Sequence, residues 1–166
     1  MSNIPLKYVP KKLTKKERKQ QIKQIKKSRK MYKKGKYYKR KPVKSYKHKT
    51  SKHILKARKI YNTKKIKPSK ELVKKTGCNM KTLNGIVKKG MGAMYSSGSR
   101  PNQTAHSWAY ARLASAITGG KSAAVDFHLI KDGCKKSGKA YKLAMKSLKK
   151  HKKGKHRVPK IKIKKK

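Results

Sequence analysis

Acidic residues are nearly missing from this chain: Asp and Glu number 4 of 166, against 54 Lys and Arg, for a formal charge of +50. That scarcity excludes internal neutralisation and leaves few carboxylates to hold a magnesium ion. Cysteine is scarce too. Cys78 and Cys134 have no CxxC partner, so free thiols in a reducing compartment are expected, with a single disulfide as the alternative. Apolar runs are short, and none approaches the ~18 residues of a membrane span. Met1–Pro10 lacks an apolar h-region, so no secretory leader is expected. Strand-like alternation of useful length is also missing, which leaves helix as the periodic signal.

What the chain does have is lysine. Only 7 of the 54 cations are Arg. Lysine is a flexible point charge, whereas arginine's planar fork is the usual reader of guanine edges. The excess therefore favours phosphate neutralisation over base readout. An AT-rich genome would inflate Asn along with Lys, yet Asn appears only 5 times, and codon bias does not remove acids. Self-repulsion on this scale opposes compaction unless a polyanion lies alongside. Duplex DNA carries one phosphate charge per ~1.7 Å of axis, so fifty cations match roughly 85 Å of duplex.

The charge is unevenly spread. Met91–Cys134 holds 4 basic and 2 acidic residues, while the rest of the chain holds 50 basic and 2 acidic. The nearly neutral island is where a core can form. Thr104 can cap a helix running to Ile117 and stopped by Gly119-Gly120. A second helix is expected over about Lys121–Asp132. A third, from Gly138 to about Lys152, would have Ser137 as its cap. The expected fold is mainly α: a small helical core (68–148) with a lysine-rich, partly disordered N-terminal arm (1–67) and a basic C-terminal tail (149–166).

Within the arm, Thr14-Lys15-Lys16-Glu17 is a capping-box pattern and Gly35 a stop signal. Ile22, Ile25 and Tyr32 form a stripe too thin to bury alone, so bound phosphate is the expected stabiliser of this helix. Tyr32, Tyr37, Tyr38 and Tyr46 are interleaved with lysines. They could stack on unpaired bases or pack on lysine stems and the core. Ser51–Tyr61 reads as a further short helix.

Residues 69–90 carry a helix-turn-helix pattern: Lys70–Thr76, a turn at Gly77-Cys78-Asn79, then Met80–Lys89 closed by Gly90. Leu72, Val73, Leu83 and Ile86 would hold the two helices together, with Lys81, Gly85 and Lys88 facing outward. An ordinary αα-hairpin on the core fits the same spacing. Gly90-Met91-Gly92 has the form of a phosphate-holding glycine hairpin.

The stretch Tyr95–Thr104 is dense in hydroxyls and amides, and serves either as a phosphate-holding loop or as a connector whose side chains cap the next helix. Ser96-Ser-Gly-Ser-Arg-Pro-Asn-Gln-Thr104, with Ser107-Trp108, Ala111–Ser115 and Thr118–Lys121, resembles an uncharacterised domain family. Its members are highly basic proteins of large double-stranded DNA viruses of eukaryotes and of some phages. The resemblance covers roughly residues 68–134. It implies a viral origin and a virion or genome-associated role.

Catalysis is not expected. Ser115–Ser122 imitates a phosphate-binding loop ending in Gly-Lys-Ser, but Ser115 replaces its first glycine and the segment follows a helix. Neither His106, His128 and Asp126 nor the two cysteines have the spacing of a hydrolytic triad or a metal site. No cofactor, metal or small-molecule substrate is expected. The expected partner is nucleic acid, foremost double-stranded viral DNA, neutralised and condensed largely without sequence specificity. The candidate contacts are Lys26, Lys27, Arg29, Lys30, Lys33, Lys34, Lys36, Lys39, Arg40, Lys81, Lys88, Lys89, Arg100, Lys149, Lys150, Lys152, Lys153 and Lys155. The expected location is the genome-containing core of a virion and, in the infected cell, the viral factory or nucleus. An RNA-binding protein of ribosomal or nucleolar type, or a virion component docking acidic capsid or membrane surfaces, would share this composition.

Overall fold

The computed structural model describes residues 4–151 and 158–161. Among these the protein is mainly helical, with eight α-helices and no strand: α1 (Lys15–Lys33), α2 (Lys52–Tyr61), α3 (Lys70–Thr76), α4 (Met80–Ser96), α5 (Ala105–Ile117), α6 (Lys121–Val125), α7 (Phe127–Gly133) and α8 (Lys139–Lys150). The chain divides into two compact units. One comprises Met1–Lys49, Gly92–Ala105 and Arg157–Lys166; the other comprises Thr50–Met91 and His106–His156.

In the first unit, local chemistry sets the start of α1. Thr14 accepts from the Glu17 amide, and the Glu17 carboxylate accepts from the Thr14 amide at 3.1 Å, the reciprocal capping box that the sequence announces. Glu17 also accepts from the Ser45 hydroxyl and from the Ser45 amide at 3.0 Å. These Ser45 bonds, seconded by those from Thr14, hold its carboxyl down at about 2.

The inward face of α1 is mostly polar: Gln21, Gln24 and Ser28 are buried beside Ile25. Gln21 donates to the carbonyls of Tyr8 (3.1 Å) and Ser99 (3.2 Å), Gln24 to that of Lys41 (3.2 Å) and Ser28 to that of Tyr95 (3.1 Å). Side-chain amides and hydroxyls satisfy backbone groups that would otherwise be buried unpaired. The thin apolar stripe of α1 is thus supplemented by polar side chains that bond within the unit. Ile4, Val9, Leu13 and Val43 are buried as well. Residues 159–161 return here as well: Leu6 donates to the Pro159 carbonyl and Ile161 to that of Ile4, which pairs them with residues 4–6.

The second unit holds a core of Leu72, Leu83, Ile86, Leu113, Ile117 and Ile130 with many alanines, joined by Ala57, Tyr61 and Ile66 from upstream of the expected core. Ser51 and Ser69 cap α2 and α3 through their hydroxyls. Gly90 does not end a helix. A Cβ there would lie 2.7 Å from the Ala109 Cα, so its bare backbone lets α4 and α5 touch, and α4 continues to Ser96. The Gly90-Met91-Gly92 stretch is therefore helical and forms no hairpin. The expected helix over Lys121–Asp132 is two helices, because Asp126 leaves helical geometry (φ −100°, ψ 17°) between α6 and α7. Ser137 is not the cap of α8; Gly138 occupies that position.

The cysteines are not free. Cys78 follows α3, Cys134 follows α7, and they form a disulfide with their Cα atoms 3.9 Å apart. The backbone explains the pairing. Asn79 donates to Gly133 (2.8 Å) and Lys135 donates to Gly77 (2.9 Å), which sets the cysteines opposite each other as the non-hydrogen-bonded pair of an antiparallel bridge, where side chains lie closest.

Candidate nucleic-acid interface

Lysine and arginine occupy different places. Every described lysine except Lys121 is exposed. Four of the six described arginines are half-buried: Arg18, Arg29, Arg40 and Arg112. Their forks hold the protein together. Arg18 donates to the carbonyls of Val9 and Pro10, and Arg29 clasps the Ser97 carbonyl through Nε (3.1 Å) and Nη2 (2.7 Å). Arg40 donates to the Ser99 hydroxyl at 2.6 Å, while its Nη1 is buried without a hydrogen-bond partner. Burial pulls both Arg29 and Arg40 below the ordinary arginine value. Both of these candidate contacts thus bond within the protein, whereas Arg100 is exposed.

The same bonds explain the polar loop. Asn102 (φ 59°) accepts from the Val43 amide (2.7 Å) and donates to the carbonyls of Val43 (2.9 Å) and Tyr46 (2.7 Å). Ser99, fully buried, donates to the Arg100 carbonyl at 2.8 Å. The loop is therefore a connector whose carbonyls accept from side chains of α1 and whose Asn102 side chain ties it to Val43 and Tyr46.

Beside it, Lys26, Lys27, Lys30, Lys33, Lys34, Lys36 and Lys39 are all exposed. The Lys27 ammonium lies 4.7 Å from the Tyr38 ring centroid, so one tyrosine does pack under a lysine.

In the second unit, α3 and the start of α4 form where the sequence places them, with Gly77 at φ 76° in the turn, but α4 runs past the expected end at Lys89. Lys81, Asn84 and Lys88 are exposed at helical spacing on α4. Gly85 does not share their outward face, since a Cβ there would meet the Leu129 methyls at 3.7 and 3.9 Å. Lys89 reaches back to Asp126 at 3.0 Å. Lys149 and Lys150 are exposed at the end of α8, and Lys152, Lys153 and Lys155 lie outside the described residues.

A family model described as a family of unknown function, DUF5824, matches residues 5–137. The chain belongs to that family. The match runs well upstream of the 68–134 stretch expected from the resemblance, taking in α1 and α2. Nothing matches among curated proteins or among solved structures.

Proposed function

We propose that the protein is a virion component that neutralises and condenses double-stranded viral DNA largely without reading its sequence. The observation that carries this reading is the charge of +50 on 166 residues, displayed as exposed lysine on both units. Four of the six described arginine forks, the groups suited to reading guanine, are turned to the protein's own carbonyls, a hydroxyl and a carboxylate. Cation without readout is the chemistry of a phosphate neutraliser. Its place would be the genome-containing core of the virion and, during infection, the viral factory or nucleus. No chemical step is assigned to it.

The test is the salt dependence of duplex binding by the full chain. Counterion release predicts a log-linear fall in affinity of roughly 10³-fold or more between about 50 and 200 mM salt. A flat response would remove the proposal.

A further inference from the structure

We infer that Tyr32, Tyr37 and Tyr95 form a stacking platform for the unpaired bases of single-stranded DNA, an inference that rests on the nucleic-acid reading above. The three rings belong to one unit and come from three places. Tyr32 lies in the last turns of α1 and Tyr95 in the last turn of α4. Their rings are nearly parallel, 10° apart, with centroids separated by 6.5 Å. Gly92 makes room for this approach, since a Cβ there would sit 3.2 Å from the Tyr32 hydroxyl. Ser28, one turn before Tyr32, fixes the register by donating to the Tyr95 carbonyl at 3.1 Å.

Tyr37 is delivered by the end of α1. The Gly35 amide donates to Tyr32 (2.9 Å) and the Lys36 amide to Met31 (3.0 Å), with Gly35 at φ 69°. This is a Schellman stop, and it folds the chain back so that the Tyr37 ring lies 6.2 Å from Tyr32 and 5.0 Å from Tyr95.

A ring placed only to fill a core would be covered. Tyr37 is 71% exposed, although the turn holds it against two partners. An aromatic face fixed in advance and left in water suits a flat apolar ligand, since little ordering remains on binding. Lys33, Lys34 and Lys36, all exposed and within four residues of Tyr37 in sequence, supply the cations that a phosphodiester backbone needs. Rings for the bases beside cations for the phosphates are the two parts of a single-strand site.

The experiment measures binding of the full chain to four probes: oligothymidylate, an abasic phosphodiester of equal length, a DNA duplex and oligouridylate. Tyr37→Ala should weaken oligothymidylate binding by roughly tenfold, the order expected for a single base stacked on a ring. The abasic strand and the duplex should change less than about twofold, and Tyr37→Phe should retain the wild-type pattern. Unchanged oligothymidylate affinity in Tyr37→Ala, or an equal loss on the abasic strand, overturns the platform while leaving charge neutralisation standing. Stronger discrimination by Tyr37 on oligouridylate than on oligothymidylate overturns the assignment to DNA. Failure of the wild-type chain to bind any probe removes the nucleic-acid reading, and the platform with it.

Discussion

Asp126 accepts two parallel hydrogen bonds from Arg112, Nε at 2.8 Å and Nη2 at 2.7 Å, with the carboxylate side chain wholly buried. Burial pushes its pKa up, but the bonds from Arg112, with Lys89 adding to them, outweigh that push and hold it below the ordinary 3.8. A depressed carboxyl contributes stability that is complete above its unfolded value and is lost as pH falls through the folded one. Unfolding followed by circular dichroism should therefore show a loss of stability below about pH 4. Asp126→Asn leaves the Arg112 fork without its counter-charge and should cost about 3–5 kcal/mol at neutral pH. It should also flatten the acid limb, and an unchanged limb in that variant would place the acid transition elsewhere.

The disulfide closes a loop with a sequence separation of 56. Chain-entropy arithmetic for a loop of that length gives roughly 4 kcal/mol of stabilisation. Cys78→Ala with Cys134→Ala, compared with the oxidised parent in urea, should show a loss of that order. A loss under about 1 kcal/mol would mean that the backbone bridge at Gly77 and Gly133 holds the two segments without the covalent link.

Much of the helical order was legible because helix starts are local chemistry. Thr14 with Glu17, Ser51 and Ser69 each announce a start, and each cap forms. The face of α1 was not legible. Gln21 reads as a solvent residue until its partner, the Ser99 carbonyl 78 residues away, is known. Gly90 reads as a stop because nothing local reveals Ala109 beside it. Cys78 and Cys134 gave no spacing signal, since their pairing depends on where α7 ends. Of the candidate site, the exposed lysines could be named from residue type alone. The inward turn of Arg29 and Arg40 could not, because it depends on the Ser97 carbonyl and the Ser99 hydroxyl that only the folded loop presents.

Gly85 and Gly90, two of the three glycines of α4, should respond oppositely to alanine. At Gly85 the added methyl meets only the Leu129 methyls, at 3.7 and 3.9 Å, an ordinary contact. Gly85→Ala should raise stability by about 0.5–1 kcal/mol through reduced unfolded-state entropy and better helix propensity. At Gly90 the methyl would lie 2.7 Å from the Ala109 Cα, and backbone cannot step aside cheaply. Gly90→Ala should lose about 1–3 kcal/mol as α4 and α5 are forced apart. Thermal unfolding of both variants distinguishes the cases, and stabilisation by both would mean that α4 and α5 are not packed as closely as described.

On the proposed function, Lys81 and Lys88 test whether α4 would read bases or only meet phosphate. Both are exposed, with Asn84 between them, but lysine offers a point charge rather than a paired fork. If the two meet phosphates alone, Lys81→Ala with Lys88→Ala should weaken duplex binding about equally on every sequence. It should also reduce the slope of log affinity against log salt by roughly 2, about 0.9 for each phosphate no longer neutralised. Random-site selection should return no consensus for either the parent or the double variant. A consensus in the parent that vanishes in the variant would instead put α4 in a groove, and it would make this unit a sequence reader carried by a charge neutraliser.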